Sequence, residues 1–238
     1  MSGYSGRGVH GQTVDVLGAR IVAGGFGEGV VFDLAALGRD LDVSMTALRE
    51  ALKVLAAKGL VEARQKRGTY VRAREHWNLL DADVIRWRAE AGDAPAVLRD
   101  LAEVRAVLEP STASIAAGRR DAADLAELEA ALVAMRDAVG PAAAVDADLR
   151  WHRALLRATH NPMLASMDVF IEPALRLRDS LVHTGTDDDP VPAHRVVVDA
   201  VRAGDATAAA AAMSALLDKA SHDVAEVIGA GDEEDTPA

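Results

Sequence analysis

The chain has 238 residues, half of them hydrophobic but only 3% aromatic, with alanine runs such as 208–212, a mixture that favours packed helices over a strand sandwich and a length that allows one large or two small domains. Zero cysteines exclude disulfides, thiolate metal sites and cysteine nucleophiles, while the lack of a long apolar run and of a basic-then-apolar leader points to a soluble, cytoplasmic protein. The net charge of −11 is uneven: residues 1–75 hold eleven Lys/Arg against eight Asp/Glu, or +3, and the rest carries −14, so a cationic module suited to a polyanion precedes an anionic one.

The first ten residues, rich in Gly and Ser, read as unstructured. Val14, Leu17 and Ile21 then recur at helical spacing until Gly24-Gly25. Asp33 caps a short helix carrying Leu34, Leu37 and Leu41, and Ser44 caps a second whose stripe is Leu48, Ala51, Leu52 and Leu55, stopped by Gly59. Two short strands follow, 60–64 and 69–72, joined across Gln65-Lys66-Arg67-Gly68. Three helices and a hairpin in this order make a winged helix-turn-helix. From Trp77 onward the pattern is all helical, with segments expected at 81–91, 94–117, 121–138, 142–160, 162–183, 190–203 and 205–228. The fold expected is mainly α: a winged helix-turn-helix at 10–74, a linker helix at 75–92, an all-helical bundle at 93–228 and a disordered acidic tail at 229–238.

On the helix that begins after Ser44, the apolar stripe turns inward and leaves Met45, Thr46, Arg49 and Lys53 on other faces. The first turn of such a helix enters the major groove, where Arg bonds guanine or phosphate. Lys66 and Arg67 beside Gly68 form a wing tip suited to phosphate or minor-groove contact. The run Val43-Ser44-Met45-Thr46-Ala47-Leu48-Arg49-Glu50-Ala51-Leu52, then Leu55, Gly59-Leu60-Val61 and Arg67-Gly68-Thr69-Tyr70-Val71, resembles the DNA-binding domain of GntR-type bacterial transcription regulators. The resemblance implies a homodimer on a pseudo-palindromic operator, with Ser44, Met45, Thr46, Arg49, Lys53, Lys66, Arg67 and Gly68 at or near DNA. The chain departs from the family at Met45, where the usual residue is a contacting Arg, and a shifted operator preference follows.

Three later stripes carry polar groups where core residues belong. Arg105 sits with Leu101, Val104 and Leu108; Asp148 and His152 share a face with Val145, Leu149 and Leu156; His194 precedes Val197, Val198 and Val201. Burying an unpaired charge costs several kcal/mol, so these groups should meet each other, a metal or an anion. One Asp and two His suit a divalent ion with positions left open for ligand oxygen, and the Arg105 fork suits a carboxylate. An internally satisfied Asp–His bond and Arg–Glu pair is the plainer alternative.

Glu103-Val104-Arg105 with Glu109-Pro110, Asp148-Leu149-Arg150-Trp151-His152, His160-Asn161-Pro162, and His194 with the alanine-rich run ending in Met213 resemble the FCD effector domain of the FadR subfamily of GntR regulators. This implies Asp148, His152 and His194 as ligands for Zn, Ni or Mn. The family's further ligand His falls here on Leu216, and His222, roughly 240° farther round the helix, is a poor substitute. His76 to Trp87, with Ala158-Thr159-His160-Asn161-Pro162-Met163-Leu164, is similar to repressors of D-galactonate catabolism. The function implied is a repressor released from its operator by a sugar acid or other small carboxylate held by Arg105, Asp148, His152 and His194. Segment 74–92, with Trp77 and Trp87, is expected to transmit that signal by its place between the modules. Two other readings stand beside it: a metal-dependent enzyme acting on sugar acids at a two-His-one-carboxylate centre, and a constitutive DNA binder whose second domain is structural.

Overall fold

The computed structural model describes residues 9–182 and 189–234, and the chain divides into two compact units, one ending at Val97 and the other beginning at Leu98. In the first unit α1 spans Val9–Val22, α2 Leu34–Asp40 and α3 Met45–Ala57, followed by the antiparallel hairpin β1 Val61–Arg64 and β2 Gly68–Val71. Helix α1 therefore begins before the end of the stretch read as unstructured; residues 1–8 lie outside the described ones. Asp33 accepts from the amides of Ala35 and Ala36, and Ser44 from that of Ala47, so both expected caps hold their helices by satisfying orphan N–H groups. Leu17, Ile21, Leu48, Leu55 and Leu60 are fully buried together in the core that fixes α1 against α3. One addition escaped the periodicity. Gly29–Phe32 pairs with β2 through Phe32 N to Thr69 O, Val71 N to Val30 O and Gly29 N to Val71 O, giving the wing a third short edge.

The segment read as a linker helix at 75–92 is not one helix. It comprises a 3₁₀ turn Arg74–His76, an extended stretch, α4 at Ala82–Arg88 capped by Asp81, and a π-type turn Ala89–Asp93 in which Gly92 takes φ 92°. It packs within the first unit, with α4 on α1.

The second unit is helical throughout its described residues: α5 Ala94–Arg119, whose first turn lies before the division, α6 Ala122–Asp137, α7 Pro141–Arg157, α8 Pro162–Ala165, α9 Asp168–Val182, α10 Val191–Ala203 and α11 Ala206–Glu234. The helix expected at 162–183 is broken at Ser166-Met167, where the Ser166 hydroxyl turns back to the Pro162 carbonyl at 2.9 Å; residue 183 lies outside the described residues. Helix α11 continues to Glu234 through most of the stretch read as a disordered tail from 229, and residues 235–238 lie outside the described ones. Trp151, Leu128, Leu132, Leu155, Val197, Val198 and Val201 pack against buried alanines of α5, α6, α7 and α11. Small side chains let the helix backbones approach closely, which is what the alanine-rich composition provides. No described helix is long and apolar enough to cross a membrane.

Candidate functional site

Two sites follow from the sequence expectations, one on each unit. On the first, Met45 is 40% exposed and Thr46, Arg49 and Lys53 are exposed on the outer side of α3, while Ser44 is occupied as its cap. Arg49 has no ion-pair partner among the described residues, whereas Lys53 meets Glu50 one turn back at 2.7 Å. At the wing tip Lys66 takes φ 68° and Gly68 φ 90°, both left-handed. A Cβ at Gly68 would stand 3.1 Å from the Val31 side chain, so strain and space together call for glycine. The Arg67 guanidinium lies 3.8 Å from the centroid of the Tyr70 ring, which braces an exposed cation. Tyr70 Oη in turn donates to Glu62 at 2.5 Å, and with Arg64 it holds that carboxyl down at about 2. The hairpin thus presents Lys66 and Arg67 outward while its one carboxylate is engaged.

The second site is built by α5, α7, α9, α10 and α11. Asp148 Oδ1 lies 3.0 Å from His194 Nε2 and 3.4 Å from His152 Nε2, and one ligand atom from each of the three falls within 4.8 Å of the others. Each imidazole is gripped from behind. His194 Nδ1 meets the Pro190 carbonyl at 2.8 Å, and His152 Nδ1 meets Glu109 Oε2 at 2.8 Å. Those contacts leave both Nε2 atoms aimed at Asp148, the arrangement that second partners impose on metal-ligating histidines. The donor set fits a borderline divalent ion, with three protein ligands and open positions. Arg105 is 6% exposed; its Nε donates to Glu109 at 2.5 Å and its Nη2 lies 3.4 Å from His152 Nε2.

Electrostatics bind this cluster tightly. Burial opposes charge on Glu109, but His152 and Arg105 beside it win and hold its carboxyl at about 2. Burial likewise works against an Asp148 carboxylate, and bonds from His152 and His194 overcome it, placing its pKa well below the ordinary value. For His152 burial favours the neutral ring, yet Glu109 and Asp148 raise it to about 9. In metal-free protein His152 is therefore an imidazolium between two carboxylates.

The cluster opens on a cavity of about 80 Å³ lined by Arg105, Asp148, His152, Arg178, His194 and Lys219, with apolar wall from Pro190, Ala193, Leu216 and Ala220. Leu216 is 8% exposed and leaves no fourth protein donor at that wall; His222 is exposed and does not line it. Sequence reasoning missed Arg178 and Lys219. Both are long basic residues on helix flanks, where a solvated charge is the ordinary outcome. The Arg–Glu pair and Asp–His bond of the plainer sequence reading are both present, as Arg105–Glu109 and as Asp148 with His194 and His152, and the Glu109 carboxylate meets His152 as well. Trp151 stands edge-on to both imidazoles, with ring centroids 5.0 Å from His152 and 4.6 Å from His194.

Comparison with known proteins agrees with this division. Residues 10–71 match the family profile described as bacterial regulatory proteins, gntR family, and residues 100–219 that of the FCD domain. The chain is 32% identical to the galactonate operon transcriptional repressor of Escherichia coli K12 over 91% of its own length and 96% of that protein. It is 33% identical to the Uxu operon transcriptional regulator of the same organism over 53% of its length and 49% of that protein. Among solved structures, a Listeria monocytogenes protein, Lar, described as controlling expression of the agr system, superposes with a TM-score of 0.64 at 16% identity, covering 92% of this chain and 98% of that one.

Proposed function

Because the chain belongs to the GntR family, with an FCD domain behind its winged helix, it is a DNA-binding transcription regulator and not an enzyme, and we propose that it represses an operon for a small-carboxylate or sugar-acid catabolic route and leaves its operator when that acid binds the second unit. The observation that carries this is the convergence of Arg105, Arg178 and Lys219 with an Asp-His-His donor set on one cavity. Three basic side chains beside an Asp-His-His donor set suit a carboxylate whose neighbouring hydroxyl reaches the cation. Asp148, His152 and His194 would hold the metal, and its chemistry there is to offer open coordination positions to ligand oxygens. That the galactonate repressor is similar along nearly its full length favours an aldonate.

Release requires that the acid bind two arrangements of the chain unequally, with coupling of ~1–3 kcal/mol typical. On DNA, Thr46 and Arg49 read the major groove and Lys66 and Arg67 grip phosphate or the minor groove. Met45 brings an apolar contact in place of a cation. A homodimer reading a pseudo-palindromic site completes the proposal. It is supported by an apolar groove of about 810 Å³ on the second unit, lined by Val104, Val107, Leu108, Met167 and Phe170.

The test is thermal shift against D-galactonate, D-gluconate, D-glucuronate and L-lactate, with and without chelator, on wild type and Arg105→Ala. Stabilisation of wild type by at least one acid, weakened by chelator and lost in the variant, is expected. No shift with any acid would favour a constitutive DNA binder.

A further inference from the structure

The winged-helix unit buries one ammonium. Lys58 caps the C-terminal end of α3, and its side chain is 9% exposed. Nζ stands 2.7 and 2.8 Å from the two oxygens of Asp81 and 2.7 Å from Asp83. Both carboxylates belong to the start of α4. Burial alone would lower the Lys58 pKa, but the two carboxylates raise it, so the ammonium is retained.

The main chain repeats the same tie. Asn78 N–H donates to the Lys58 carbonyl at 2.9 Å. Gly59 takes φ 79°, and a Cβ there would stand 2.3 Å from the His76 carbonyl oxygen, so the chain at 76–78 lies directly on the end of α3. The far side of α4 is fixed to α1. Trp87 fills a notch at Gly18, where a Cβ would come 2.3 Å from the ring, and Arg86 bridges Asp15 at 2.5 Å and Asp83 at 3.3 Å. Lys58 Nζ lies 5.9 Å from the Trp87 ring centroid, closing the circuit.

Stability does not account for such a cluster, because replacing buried ion pairs with apolar groups is often neutral or stabilising. What paired charges with short contacts define is a single geometry. The angle of α3 matters most where Thr46 and Arg49 meet base edges, because a bidentate bond to a base tolerates little displacement. We propose that Lys58 is a positioning residue for base readout: through Asp81 and Asp83 it sets the angle of α3 against α4 and α1 without itself touching DNA. Its ammonium is recessed and neutralised, so it adds nothing to phosphate attraction.

The test uses the full-length protein and a duplex that wild type selects from a random-sequence pool. Affinities of wild type, Lys58→Met, Lys58→Arg and Asp83→Asn are measured on that duplex and on a scrambled one across a salt series. Lys58→Met is expected to lose about tenfold or more on the selected duplex and less than about twofold on the scrambled one, with the salt slope unchanged. Lys58→Arg should recover part of the loss. Equal losses on both duplexes, or none on either, would overturn the assignment. Should Lys58→Met fail to fold, Asp83→Asn, which leaves Asp81 in place, decides the matter: a selective loss of a few fold supports it and an unselective one refutes it.

Discussion

Glu109 is the member of the buried cluster around the Asp-His-His set whose removal should be felt most widely. Its carboxylate is fully enclosed, accepts from Arg105 Nε at 2.5 Å and lies 2.8 Å from His152 Nδ1. Glu109→Ala strands a guanidinium that is 6% exposed and deprives His152 of its strongest anionic neighbour. Breaking a buried pair by deleting one partner costs about 3–5 kcal/mol. For a chain of this length each kcal/mol moves the midpoint by about 2–4 °C, so a fall of roughly 10 °C is expected in differential scanning calorimetry. The double variant Arg105→Met/Glu109→Met should regain part of that loss, since the guanidinium is no longer stranded while His152 Nδ1 still lacks its acceptor. The His152 resonance, followed by NMR, should titrate well below the native value of about 9 in Glu109→Ala. A midpoint within about 2 °C of wild type, together with an unmoved His152 titration, would refute the reasoning that this carboxylate anchors the site.

Other outcomes follow from the same geometry. Metal uptake followed by mass spectrometry should be one divalent ion per chain for wild type and none for Asp148→Ala or His194→Ala. Leu216→His adds a donor at the cavity wall and should slow metal loss to a chelator. In metal-free protein His152 has a folded pKa raised above its unfolded one, so its contribution to stability is fully present below about 6.5 and is lost as pH climbs through about 9; denaturant midpoints across that range check the sign. On the DNA side, Arg67→Ala should weaken binding to all duplexes and reduce the salt slope by about 1. Arg49→Ala should cost about 1–3 kcal/mol on the preferred site alone.

Much of this architecture was legible because several local signals agreed. Asp33 and Ser44 sit one residue before apolar stripes of helical period, and Gly59 follows the last, so caps, core face and stop point to the same helices. The third wing edge at Gly29–Phe32 was not legible, since its pairing with β2 is between segments far apart in sequence. Nor was the break at Ser166, which depends on a hydroxyl choosing a carbonyl four residues back. In the proposed effector site, Arg105, Asp148, His152 and His194 announced themselves by occupying apolar register positions. Arg178 and Lys219 line the cavity from helix flanks, and nothing in their spacing separates them from solvated charges. Lys58 was hidden in the same way: a basic residue at a helix C-terminus reads as a favourable surface charge, and only the return of the chain through Asp81 and Asp83 buries it.

The perpendicular contacts of Trp151 with His152 and His194 give the molecule a light-emitting gauge. Trp151 is the sole indole after residue 97, and a protonated imidazole quenches indole fluorescence far more strongly than a neutral one. A cation that displaced the His152 proton would change the emission of this indole, so Trp151 would report on the chamber with no dye attached to the chain.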